Sequence, residues 1–154
     1  MATFVPNLAT WPFAPGESPF AIKGTSYKAH MAYVEANVPG GVAAMKAGLA
    51  DERYAAFFDQ PFLASTLYDL CPLVVVAAPC GKLTNMSASE FAATRARDQA
   101  PKDLGGVYRF LLAMVPTGSV ARRLPQLLTQ VFNFSGTKVL LDEPGHVIAE
   151  LTGL

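Results

Sequence analysis

The chain has 154 residues, no formal net charge and only 16% charged residues. Its 12 basic residues match its 12 acidic ones and form no basic stripe, which argues against nucleic acid as a partner. With 51% hydrophobic residues and a mean hydropathy of +0.28, it calls for an extensive core, a buried partner surface or a lined apolar cavity.

This length is most simply one domain, here residues 21–154 behind a proline-rich arm at 1–20. Weak self-repulsion at zero net charge favours a homodimer or another protein partner. No stretch approaches the roughly 20 apolar residues that span a bilayer. The run 70–81 carries no charge, but Pro72 and Pro79 break it. The N-terminus lacks the basic start and apolar run of a secretory signal. Cys71 and Cys80, nine positions apart in an apolar run, resemble neither a disulfide scaffold nor a metal clamp. The expected address is cytoplasmic.

In chain order, the arm holds Pro6, Pro12, Pro15 and Pro19 with Trp11, Phe13 and Phe20 between them. It is either an extended, partly disordered arm or an arm whose aromatics dock on the body or on a second subunit. Gly24-Thr25-Ser26 reads as a helix entry with a hydroxyl cap. Tyr27, His30, Met31, Val34 and Val38 then fall on one helical face. Pro39-Gly40-Gly41 ends that helix, and a shorter one carries Val42, Met45 and Leu49. Asp51 is placed to cap a third that presents Tyr54, Phe57 and Phe58.

The central stretch, 62–83, is ambiguous by local rules. Leu73-Val74-Val75-Val76 has strand propensity. Asp69 ahead of Pro72 favours a helix instead, because proline suits a first helical turn, and Pro79 would kink it. Ser87 and Glu90 have the spacing of a capping box. Ala88, Ala92, Ala96 and Ala100 form a small-residue stripe that admits another backbone, and Pro101 interrupts it. Leu104, Val107, Tyr108, Leu111, Leu112 and Val115 give the cleanest amphipathic helix. A helical turn from Ser119, then a restart through Leu127, Leu128 and Val131, follows. Strands at 138–141 and 147–151 close the chain across Asp142-Glu143-Pro144-Gly145, a type II turn pattern. A lone hairpin is marginal, so it must pack on helices or find further strands. The fold class is α+β, with N-terminal and central helices packed on a small antiparallel sheet.

No catalytic motif is present. His30, on the apolar face with Tyr27 and Met31, is either a core histidine hydrogen-bonded to a carbonyl or a tyrosine, or a haem ligand or base. Cys71 is either a small buried hydrophobe or, at a helix start, a nucleophile or acylation site. Arg95, Arg97, Arg122 and Arg123 are either solvated or able to meet an anion.

The segments FAIKGTSYKAHMAYVEANV, FLASTLYDL and DLGGVYRFLLAMVPTGSVARRLPQLLTQVFNFSGTKV, with the hairpin, cover residues 20–151. Their order resembles an uncharacterised paralogous domain family expanded in myxobacteria. That family is distantly similar to the vinyl-reductase-like small-molecule-binding domain, the haem–nitric-oxide-binding domain and the TRAPP subunit fold. The resemblance implies a ligand-binding, signalling or interaction module with a hydrophobic pocket, and several relatives dimerise. Leu67-Tyr68-Asp69 meets the family's aromatic–proline motif only in part. Residues 89–115 contain no histidine to match the haem branch, and no cofactor is specified. Acylated TRAPP subunits place a cysteine where Cys71 stands.

The sequence therefore predicts a non-enzymatic small-molecule sensor or carrier for an apolar molecule or acyl chain. Phe62, Leu67, Cys71, Val75, Tyr108, Leu111 and Leu112 would line the pocket, Tyr27 or Arg109 would meet a polar end, and His30 is a further candidate ligand-binding residue. The alternative is an interaction or dimerisation module with a filled core.

Overall fold

The structure, a computed structural model, describes residues 13–104, 128–134, 136–143 and 146–152. The amphipathic helix expected from Leu104, with its candidates Tyr108, Arg109, Leu111 and Leu112, lies outside the described residues from position 105 onward. So do residues 1–12 of the arm, the turn expected from Ser119, and Pro144-Gly145 of the hairpin. The protein is α+β, with helices packed on a small antiparallel sheet. The chain divides into two compact units, Met1–Gln99 and Ala100–Leu154.

The first unit begins with β1 (Ala21–Lys23), which leads directly into α1 (Gly24–Asn37). The expected hydroxyl cap does not form. Instead the amides of Gly24 and Thr25 donate to the carbonyls of Thr66 (2.8 Å) and Ala64 (3.3 Å), so a loop distant in sequence caps the helix. Tyr27, His30 and Val34 are buried at helical spacing, and Val38 just beyond the helix is buried too. Val38 precedes a proline and is extended, and Gly40 and Gly41 then take φ of 76° and 59°, which reverses the chain. The Glu35 carboxylate accepts from Val42 N (3.0 Å) at the start of α2 (Gly41–Ala47). In α3 (Glu52–Phe57), Asp51 caps as expected, accepting from Arg53 N at 2.9 Å.

β2 (Leu67–Asp69) pairs antiparallel with β1, matching Ala21 to Asp69, Ile22 to Tyr68 and Lys23 to Leu67. The central stretch is helical but broken into α4 (Cys71–Val75) and α5 (Ala77–Leu83). Pro79 has no N–H for the Val75 carbonyl and its ring crowds that oxygen, so the ladder stops at Val75. The end of α2 approaches α5 so closely that a Cβ on Gly48 would lie 2.8 Å from Pro79 Cβ. Asn85 (φ 56°) terminates α5 in a Schellman motif: Met86 N donates to Gly81 O (2.8 Å) and Asn85 N to Lys82 O (3.3 Å).

α6 (Ala88–Leu104) opens with the expected capping box, Ser87 N donating to Glu90 Oε2 (2.8 Å) and Glu90 N to Ser87 Oγ (3.2 Å). It runs through Pro101 rather than stopping there. Pro101 lies in the last turn, where the only donor lost is the one to Arg97 O. Ala92, Ala96 and Ala100 are exposed, so the small-residue stripe is not the packed side of α6. That side carries Phe91, which is 2% exposed.

In the second unit, β3 (Gly136–Glu143) and β4 (His146–Thr152) form the expected hairpin, each longer than its hydrophobic run. Pairing runs from Gly136 with Thr152 to Glu143 with His146, with an irregularity between Val139 and Leu141. Among the described residues, no helix is long and apolar enough to cross a membrane.

Candidate functional site

Five aromatic rings converge where α1, α3 and the segment leading into β2 meet. Tyr27 is fully buried, and its ring stacks on Phe62 with centroids 4.4 Å apart and planes 8° from parallel. Tyr68 meets Phe62 edge-on at 4.9 Å, and Phe57 and Phe58 complete the ring cluster around both. Gly24 makes room for it. A Cβ there would overlap the Leu63 carbonyl and lie 2.8 Å from the Tyr68 ring. Burial, and then the charge of Asp69, push the Tyr27 phenol well above its ordinary range, so it remains a neutral donor. Its hydroxyl donates to the Asp69 carbonyl.

Asp69 is the polar hub beneath these rings and is 6% exposed. Its Oδ2 accepts from Gly16 N (2.9 Å) and Ser18 N (3.3 Å), which ties the described part of the arm to β2. Its Oδ1 accepts from Cys71 N (2.8 Å), an Asx-type contact that starts α4. Strand, arm and central helix thus share one carboxylate.

One turn beyond Tyr27, His30 presents a different situation. It is 2% exposed, and neither ring nitrogen has a hydrogen-bond partner among the described residues. Desolvation, then the nearby Arg95 charge, push its pKa down to about 3, so the imidazole is neutral at physiological pH. A buried donor or acceptor without a partner costs about 1–3 kcal/mol, which makes His30 a local cost to the fold. Arg95 reaches over from α6, its Nη2 donating to Ser26 O at 3.4 Å, one turn before His30 on α1. Tyr33 and Phe91 meet edge-to-face at 6.0 Å in the same helix–helix joint.

The structure brings Tyr27, Phe62 and Cys71 into one neighbourhood through Asp69 and the ring stack, with Val75 buried one turn along α4. Leu67 departs from expectation: it is 47% exposed at the start of β2, where its partner Lys23 is the last residue of a three-residue strand. Cys71 and Cys80 are both buried thiols, and burial pushes the Cys80 thiol up to about 12. Sequence reasoning did not single out Asp69 as a hub, although an Asp two residues before a Cys-Pro helix start is the spacing of an Asx cap. Among the described residues, no group of three or more His, Cys, Asp or Glu side chains is arranged to hold a metal ion.

No protein-family model, no curated protein and no solved structure matches the chain.

Proposed function

We propose that the chain is a non-enzymatic small-molecule-binding module, a sensor or carrier for an apolar ligand. The observation that carries this reading is His30: a buried imidazole whose two nitrogens have no hydrogen-bond partner among the described residues carries a cost of about 1–3 kcal/mol. A ligand that supplies the missing partners removes that cost, and the apolar surroundings favour a mostly apolar molecule. The resemblance to the myxobacterial paralogous family and its ligand-binding relatives points the same way. Buried thiols suit a reducing, cytoplasmic setting. Native mass spectrometry of freshly purified chain tests the reading. Uptake of a fatty acid or another apolar small molecule in a defined ratio is expected, and a bare polypeptide mass under every loading condition would overturn it.

A specific observation favours a second reading, an interaction or dimerisation module with a filled core. Tyr27 and Phe62, both expected at the pocket, stack on each other with centroids 4.4 Å apart. On the adjoining surface Leu63 is 61% exposed, alongside exposed Leu67. This reading predicts concentration-dependent association in sedimentation equilibrium, and a monomer at high concentration counts against it.

A further inference from the structure

We infer that the outer edge of β4 pairs antiparallel with β4 of a second copy of the chain, giving a four-stranded sheet in the order β3-β4-β4-β3 across a two-fold axis. The inference is independent of the small-molecule reading; it rests on the interaction reading above and gives it a partner and a defined edge. Among the described residues, β3 and β4 form a sheet of two strands, so each has one edge without a partner strand. Two strands alone are marginal, and alternate residues along each turn an N–H and a C=O to the open side. The two edges differ. β3 is irregular between Val139 and Leu141, where Leu140 is the extra residue, and it carries an exposed Lys138. Both features discourage a further strand. Every residue of β4 (His146–Thr152) has a partner in β3, and the strand contains no proline, lysine or arginine. The edge that a further strand can join is that of β4.

Charge and apolar exposure select the register and the occupant. Glu150 pairs with Lys138, and both are exposed. Ile148, two positions before Glu150 and so on the same face, is 43% exposed. A two-fold pairing sets one residue of β4 opposite its own copy. Centring on Glu150 would oppose two carboxylates, and centring on Ala149 would set each carboxylate against an Ile148 side chain. Centring on Val147 or Leu151 would pair only 146–148 or 150–152. Centring on Ile148 avoids all of these. The two Ile148 side chains meet and withdraw from water, and Glu150 falls opposite His146 of the second copy while keeping Lys138 beside it in its own hairpin. The strand is thus complementary to itself. The outer edges of the new sheet are the two irregular β3 edges, so assembly closes at two copies.

The test is sedimentation equilibrium of the full chain, which is expected to show monomer and dimer and no larger species. Ile148→Lys sets two like charges opposite each other at the axis and is expected to weaken the dimer by at least roughly tenfold. Its far-UV circular dichroism is expected to match wild type, because Ile148 is largely exposed. Cross-linking reads the register. Ile148→Cys is expected to give a disulfide-linked dimer under copper–phenanthroline oxidation, since directly opposite Cβ atoms lie about 5 Å apart. Glu150→Cys is expected to stay unlinked, because its two copies are offset by four positions, about 13 Å. Native Cys71 and Cys80 are buried, and wild-type chain treated in the same way is the control. A dimer that Ile148→Lys leaves intact, that Ile148→Cys does not cross-link, or that grows beyond two copies overturns this inference and leaves the interaction reading in place. A monomer at every concentration overturns both.

Discussion

The Tyr27 hydroxyl donates to the main-chain carbonyl of Asp69, 42 positions further along the chain. The bond joins the first turn of α1 to the end of β2, and the Phe62 ring stacks on the Tyr27 ring beside it. The two contributions of Tyr27 can be separated by substitution. Tyr27→Phe keeps the stack and removes one hydrogen bond, so a loss of about 1 kcal/mol is expected. Tyr27→Ala also removes a fully buried ring and is expected to cost about 3–5 kcal/mol, a large share of a small domain's stability. Urea unfolding checks both, with a lowered midpoint and an unchanged slope for the Phe variant.

Asp69 gives a second, independent handle on the same region. Asp69→Ala leaves the amides of Gly16, Ser18 and Cys71 without their acceptor, and a loss of about 3 kcal/mol is expected. The local signature is more specific than the stability change. Amide exchange at Gly16 and Ser18 is expected to accelerate far more than exchange in α1, because these amides tie down the arm. Asp69→Asn retains one acceptor oxygen and is expected to fall between wild type and Ala. Unchanged exchange at Gly16 in the Ala variant would show that the arm is held by other contacts.

Elements with a strong local signal were legible in the sequence. α1, α2 and α3 follow the spacing of Tyr27, His30 and Val34, the Pro39-Gly40-Gly41 break and the Asp51 cap. The capping box of Ser87 and Glu90 and the C-terminal hairpin are equally local, and both are present. β1 and β2 were not legible, because three residues are too few to show a period of two and their pairing is set by contacts 44–48 positions apart. The cap of α1 failed for a related reason: Thr25 and Ser26 offered hydroxyls, but the chain uses the carbonyls of Ala64 and Thr66. At the candidate site, the burial of Tyr27, His30, Cys71 and Val75 follows from their faces or runs. The approach of Arg95 to His30 depends on how α6 crosses α1, which no spacing within either helix records.

His30 makes stability depend on pH with a definite sign. Its folded-state pKa, about 3, lies below the ordinary value of 6.5, so the unfolded chain binds the proton more readily. Its effect is absent above pH 6.5, and stability is lost as the pH falls from there towards 3. Within that window the slope approaches about 1.4 kcal/mol per pH unit for this one group. His30→Gln, which cannot titrate, is expected to flatten the profile between pH 6 and 4, where carboxylates contribute little at the upper end. Chemical unfolding at several pH values checks this, and an unchanged slope in the Gln variant would assign the titration elsewhere.

The central stretch can be probed through its thiols. Cys80 is fully buried, and burial holds its thiol near 12, so at pH 8 only about one molecule in 10,000 carries the thiolate. Native Cys80 is therefore expected to resist an aromatic disulfide reagent, reacting only when α5 opens, while denatured chain reacts at once. Cys71 is 6% exposed at the start of α4, where its amide is fixed by Asp69. In a Cys80→Ala background, Asp69→Ala is expected to raise the labelling rate of Cys71, because the bond that fixes the start of α4 is gone. Intact mass of the same protein, purified without reductant, reads the acylation state directly: an added acyl mass that Cys71→Ser removes would mark Cys71 as a modified residue. A bare mass with slow labelling would leave Cys71 as a packing residue whose amide, rather than its sulfur, matters to the fold.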